Sequence, residues 1–137
     1  MSRSTTAVLD ASFALCALLN YPESPAAANK LNDLITTHTR LLAPHLWMAE
    51  VTSALHRLQH SGRLSSSEAR DVLEVLLQLD LEFVPCDANL CRQAFELADQ
   101  LGQAAAYDCF YLVLARKLGA ELCTCDRRLE KLARETL

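Results

Sequence analysis

The sequence predicts an α/β protein: a three-layer α/β/α sandwich around a central, mainly parallel sheet of four to five strands. Three observations carry that expectation. Short apolar runs of strand length alternate with longer segments of helical periodicity along the whole chain. No hairpin signal joins two strand-like runs, so successive strands must pair in parallel through helical crossovers. At 137 residues and 51% hydrophobic content, the chain suits one compact domain, 1–137, with a core of useful size.

The elements follow in order. Thr6-Ala-Val-Leu9 reads as a buried strand, and a helix runs from about Ser12 to Leu19. Asn20 to Pro25 carries turn chemistry, with Pro25 suited to the first turn of a helix reaching about Thr37. Arg40 to Ala43 is the second strand, ended by Pro44. In Leu46–His60, Trp47, Val51, Ala54, Leu55 and Leu58 fall on one helical face, and Gly62 closes the helix. Ser65 and Glu68 have the spacing of a capping box, opening a helix that carries Val72, Leu73, Leu76 and Leu79. Leu81 to Val84 is the third strand, closed by Pro85. Asp87 is a candidate N-cap for a helix that stops near Gly102. Ala104 to Leu118 is helical, with Tyr107, Phe110, Tyr111, Leu114 and Leu118 as its apolar positions. Glu121 to Cys125 is the fourth strand, and Arg127 to Glu135 the last helix.

Composition narrows the class. No apolar run approaches the ~20 residues of a membrane span. The opening Met1-Ser-Arg-Ser-Thr-Thr has no leader pattern, so a cytoplasmic protein is expected. Six cysteines sit mostly inside apolar runs, which reads as buried free thiols rather than a disulfide framework. Cys123-Thr-Cys125 lacks a second pair at zinc-ligand spacing. A net charge of −4 excludes broad phosphate neutralisation, so any nucleic-acid contact must be local or metal-mediated. The one basic bias is late, at Arg116, Lys117, Arg127, Arg128, Lys131 and Arg134. Its bland explanation is solvated helix surface.

Parallel sheets place their sites at the carboxyl ends of strands, and there Asp10 and Asp126 stand. Asp10 is the only formal charge between Arg3 and Glu23, Glu50 between Arg40 and Arg57, and Asp108 between Asp99 and Arg116. A lone carboxylate among apolar residues risks burial, which costs several kcal/mol without compensation. Asp10 and Asp126 also suit N-caps, Glu50 could reach solvent from the edge of its stripe, and Asp108 suits a helix start. Those explanations take the acids one at a time and leave their isolation unexplained. Converging acids raise one another's pKa, and a divalent cation turns that penalty into affinity. Other chemistries drop out. His56 and His60 lack the glutamate of a zinc-protease motif, no serine sits in a nucleophile elbow, and the three glycines form no phosphate cradle.

These residues resemble a known family. Val8-Leu-Asp10-Ala-Ser12 is similar to the opening motif of PIN domains, and Ala49-Glu50-Val51 to their second acid. Tyr107 to Ala115 is similar to the third motif around Asp108, and Cys123-Thr-Cys-Asp126-Arg-Arg-Leu129 to the fourth. The match spans Thr6 to the C-terminus, and the chain's size most resembles VapC-type toxins of toxin–antitoxin pairs. The resemblance implies Mg²⁺ or Mn²⁺ dependence and hydrolysis of RNA phosphodiester bonds by metal-activated water. It further implies homodimerisation and inhibition by a small antitoxin whose tail enters the acidic groove. Asp10, Glu50, Asp108 and Asp126 would be the catalytic and metal-binding acids. Ser12 and Thr124 match supporting hydroxyl positions. The cysteines at 109, 123 and 125 stand outside the family pattern. Arg127, Arg128 and Lys131 are placed to steer an RNA backbone. Two rivals remain: a phosphatase with an aspartate nucleophile, which wants a second aspartate where Ser12 stands, and a non-catalytic PIN-like binding or regulatory domain.

Overall fold

A computed structural model describes residues 5–137; Met1-Ser-Arg-Ser, part of the stretch read as lacking a leader, lies outside the described residues. The elements run β1 (Thr6–Leu9), α1 (Ala11–Leu18), α2 (Ser24–Thr36), β2 (Arg40–Pro44), α3 (Leu46–His60), α4 (Ser66–Leu77), β3 (Glu82–Val84), α5 (Ala88–Leu101), α6 (Tyr107–Leu118), β4 (Glu121–Cys123) and α7 (Arg127–Thr136). The sheet has four strands in the order β3-β2-β1-β4, and every neighbouring pair is parallel.

The chain steps outward from β1 to β2 to β3, then crosses back to place β4 on the other side of β1. Right-handed crossovers taken in opposite directions put α1–α4 on one face and α5–α6 on the other. The packing agrees. One core cluster joins Phe13, Leu31, Trp47 and Leu76 from the first four helices to the sheet. A second joins Leu90 and Leu97 of α5 to Leu112 and Val113 of α6 and Leu129 of α7. Covered on both faces, β1 is apolar without alternation, and Ala7, Val8 and Leu9 are fully buried. Each large side chain so buried contributes about 1.5–3 kcal/mol. The reversal between β1 and β4 makes the C-terminal ends of those two strands the switch point, where open parallel sheets bind ligands.

Local signals set the boundaries. Ser65 and Glu68 form the full capping box, and Asp87 accepts from the Leu90 amide at 2.8 Å as the N-cap of α5. Gly119 ends α6 at φ +60°, a left-handed conformation costly for other residues, and turns the chain into β4. Three expectations shift. The helix placed at 104–118 begins at Tyr107, because Gly102 closes α5 and the Gln103 amide caps back onto the Ala98 carbonyl. Residues 103–106 then make the reversal, and the helix propensity of the alanines yields to it. The fourth strand stops at Cys123 rather than Cys125, because Thr124 and Cys125 bond across to Asp10 and Ser12 instead of continuing the ladder. On α6, Tyr107 and Leu118 are exposed, while Cys109 and Leu112 to Ala115 are buried between the sheet and the outer helices.

All six cysteines are free; Cys16, Cys109 and Cys123 are buried, Cys86 and Cys125 half-buried, and Cys91 exposed. Among the described residues no helix is long and apolar enough to cross a membrane.

Candidate active site

Asp10 leaves the end of β1 and caps α1. Its Oδ1 accepts from the Phe13 amide at 2.8 Å, and Ser12 Oγ donates to both of its oxygens at 2.8 and 2.9 Å. Thr124 Oγ1, just past β4, donates to Oδ2 at 2.5 Å. The two hydroxyls are themselves pinned by backbone: the Cys125 amide donates to Ser12 Oγ and the Asp126 amide to Thr124 Oγ1. This small network welds the ends of β1 and β4 together. It gives Ser12 and Thr124 a structural reason to be hydroxyl residues.

The same geometry shapes the charge on Asp10, which is only 5% exposed. Burial pushes its carboxyl up from 3.8 to about 6; the bonds from Thr124, Phe13 and Ser12 pull the other way, and the nearby Asp126 charge adds to the rise. Among the described residues no cationic side chain compensates it.

Asp126 follows β4 and caps α7, with one oxygen accepting from the Arg128 amide at 2.9 Å and the Leu129 amide at 3.3 Å. Both capping readings therefore hold, and they are compatible with a site. A cap uses one face of a carboxylate and fixes where the other points. Asp108 sits in the first turn of α6 and pairs with Arg128 at 2.6 Å. Its carboxyl is raised by burial, against the pull of the Arg128 charge and with the push of Asp126. Arg128 is thereby occupied at the site, while Arg127 is exposed and takes no side-chain bond among those described.

Glu50 projects from α3, and Tyr111 Oη of α6 donates to its Oε1 at 2.5 Å. Because α3 and α6 lie on opposite faces of the sheet, this bond spans the sheet's C-terminal edge. The Tyr111 ring is 2% exposed, so its hydroxyl has one fixed direction. Glu50 is raised chiefly by burial, with Asp10 and Asp108 adding repulsion and the Tyr111 bond opposing it. Tyr111 in turn is raised by burial and by the Glu50 charge. The sequence had offered Tyr111 only as an apolar position. Its one legible signal was its place three residues after Asp108, on the same helical face.

The structure thus gathers Asp10, Glu50, Asp108 and Asp126 at one edge, each within reach of another's charge. As they stand, among the described residues, no three acidic, histidine or cysteine side chains form a closed metal cage. Glu50, Asp108 and Asp126 each keep one carboxylate oxygen that takes no bond from a described residue. Oxygen donors, mutual repulsion and an uncompensated buried acid are the chemistry of a hard divalent-cation site. The residues fit such an ion.

A switch-point sheet with isolated carboxylates at its strand ends defines a class of α/β proteins with an acidic site at the sheet's C-terminal edge. Within that class, the family model of the PIN domain matches residues 7–135, and the chain belongs to the PIN-domain family. A VapC ribonuclease of Mycobacterium bovis is 35% identical over 122 residues, covering 89% of this chain and 87% of its own. Ribonuclease VapC3 of Pyrobaculum aerophilum is 32% identical over 123 residues, covering 89% of this chain and 90% of its own. Among solved structures, the Mycobacterium tuberculosis VapC20 toxin, which cleaves the sarcin-ricin loop, superposes with a TM-score of 0.70 at 16% identity, covering 92% of this chain and 94% of its own. VapBC2 of Rickettsia felis, bound to promoter DNA, gives 0.66 at 18% identity, covering 93% of this chain and 92% of its own. Divalent-metal dependence is general among the VapC ribonucleases of this family.

Proposed function

We propose that the chain is a single PIN-like nuclease domain, 1–137, acting as a Mg²⁺- or Mn²⁺-dependent endoribonuclease and as the toxin of a toxin–antitoxin pair. The observation that carries this reading is the convergence of Asp10, Glu50, Asp108 and Asp126 at the β1/β4 switch point. The 35% identity to a VapC ribonuclease over nearly the whole chain supports it. A small antitoxin protein and a second copy of the chain are the partners that go with it.

Asp10, Asp108 and Asp126 would hold the cation, with Glu50 beside them. When bound, the cation neutralises the acids, polarises the scissile phosphate and favours ionisation of the attacking water. The chain's own residues do the rest. Ser12 and Thr124 fix the Asp10 carboxylate, and Tyr111 fixes Glu50 through Oε1, so that Oε2 is the oxygen left to face the reacting groups. Glu50, held in place by Tyr111 beside the other acids, would be a further ligand or would orient the attacking water. Arg128 holds Asp108 through Oδ2, which leaves Oδ1 as the oxygen that would ligate.

The test is cleavage of a mixed RNA panel by protein freed of co-purifying partners, in Mg²⁺, Mn²⁺ or EDTA. Cleavage that needs metal is the expected result. Silence across the panel, with no metal uptake in titration, would favour a binding-only PIN-like domain instead.

Tyr111→Phe gives a sharper expectation. The ring stays packed and only the bond to Glu50 is lost, so the rate should fall about tenfold, the scale of one hydrogen bond to a charged group. Circular dichroism should report an unchanged fold. An unaltered cleavage rate would remove Tyr111 from the machinery.

A further inference from the structure

Two clefts open beside the acid cluster, of about 510 and 520 Å³. They share Ser12, Leu15, Ala54 and Arg57, so they form one continuous trench between α1 and α3. At one end stand Glu50 and Tyr107, at the other Arg63 and Tyr21.

The trench has a periodic floor on α3. Glu50, Ala54, Arg57 and Ser61 recur at helical spacing, so one face of the helix runs from the acid cluster to the far cleft. Arg57 donates to Ser53 Oγ at 3.2 Å, and among the described residues neither Arg57 nor Arg63 is in an ion pair. Both are exposed. Two uncompensated guanidinium groups leading away from a carboxylate cluster, in a chain of net charge −4, select an anion that also reaches the cluster. Glu23 and Glu50 line the same trench and repel an anion, which confines its favourable contacts to the arginine stretch. Tyr107, 65% exposed, and Tyr21, 42% exposed, offer ring faces at the two ends. Cations flanked at both ends by exposed tyrosines fit a single nucleic-acid strand, with phosphates on arginine and unstacked bases on tyrosine.

Resting on the ribonuclease reading, we infer that this trench is the path of the RNA strand flanking the scissile bond. Arg57 and Arg63 bind its phosphates, and Tyr107 and Tyr21 stack its bases. Arg127, Arg128 and Lys131 do not line this trench, and Arg128 is engaged with Asp108.

The test uses the Asp10→Asn protein, so that binding is read without cleavage. Fluorescence anisotropy with a labelled single-stranded oligoribonucleotide gives affinity as a function of salt. Adding Arg57→Gln and Arg63→Gln should weaken binding about tenfold or more at low salt. The log–log salt slope should become shallower by about 0.7 per arginine removed. Arg92→Gln with Lys117→Gln, on the α5–α6 side, changes net charge equally and should leave both unchanged. In the cleaving protein, the double arginine variant should raise KM with little change in kcat. An unchanged affinity and slope would overturn the trench while leaving the nuclease reading standing. If the trench variants kept RNA but lost an acidic amphipathic peptide probe, the groove would belong to a protein partner and the inference would fall. Absence of any RNA binding or cleavage by the unsubstituted trench would overturn both.

Discussion

Asp10→Asn is expected to make the metal-free protein more stable at neutral pH while abolishing its RNA cleavage. The carboxyl of Asp10 is raised from 3.8 to about 6 in the fold, so the folded state holds a proton that the unfolded chain releases. Stability therefore falls as pH rises through that window. The penalty is absent below about pH 3.8 and complete above about pH 6, where it reaches roughly 3 kcal/mol. An amide carries no charge to bury. It can accept from the Phe13 amide with its oxygen and donate to Thr124 or Ser12 with its nitrogen, because hydroxyls turn to accept. Thermal melts in EDTA at pH 7 should show the variant higher by roughly 5–10 °C, and the gap should close near pH 4. Adding Mn²⁺ should raise the parent and leave the variant where it is. A variant less stable than the parent at pH 7 in EDTA would mean that Asp10 serves the fold rather than a cation.

Trp47→Ala should produce the largest loss of stability, about 3–5 kcal/mol. Trp47 is fully buried in the first turn of α3 and packs against Phe83 of β3 at a centroid distance of 5.8 Å. It stands three residues before Glu50, so the same packing that holds α3 on the sheet sets where Glu50 emerges. Urea denaturation followed by circular dichroism measures the effect. Trp47→Phe should cost much less, because it keeps an aromatic ring and removes an indole N–H that has no hydrogen-bond partner among the described residues. Equal losses for the two variants would contradict this, because a phenyl ring would then recover none of the packing energy.

Much of the site was legible because burial selects against charge. Asp10, Glu50 and Asp108 stood out as single charges in apolar stretches, and the fold gathers all three with Asp126 at the switch point. The ends of β1 and β3, the capping box and the glycine stops were equally local, so they could be read residue by residue, whereas β2 runs on to Pro44 and β4 stops early at Cys123. What escaped is long-range. The Tyr111–Glu50 bond joins positions 61 apart from opposite faces of the sheet, and no periodicity on one helix announces a partner on another. The trench is built from α1 and α3, so its arginines gain meaning only when the two helices lie side by side. Arg128 follows Asp126 in the sequence, and nothing there announces that the turn into α7 pairs it with Asp108, twenty positions earlier. The start of α6 differs from the sequence expectation for a separate reason: the closure of α5 at Gly102 outweighs the helix propensity of three alanines.

The most direct test of the acid cluster is an amide scan. Asp10→Asn, Glu50→Gln, Asp108→Asn and Asp126→Asn would each be assayed for RNA cleavage in Mn²⁺, after melting curves confirm that each is folded. One shared cation site predicts that every variant loses at least about a hundredfold in rate, the scale of removing a group that stabilises charge in the transition state. Any one variant cutting at the parent's rate would contradict the account, because the four acids would then not act as one site.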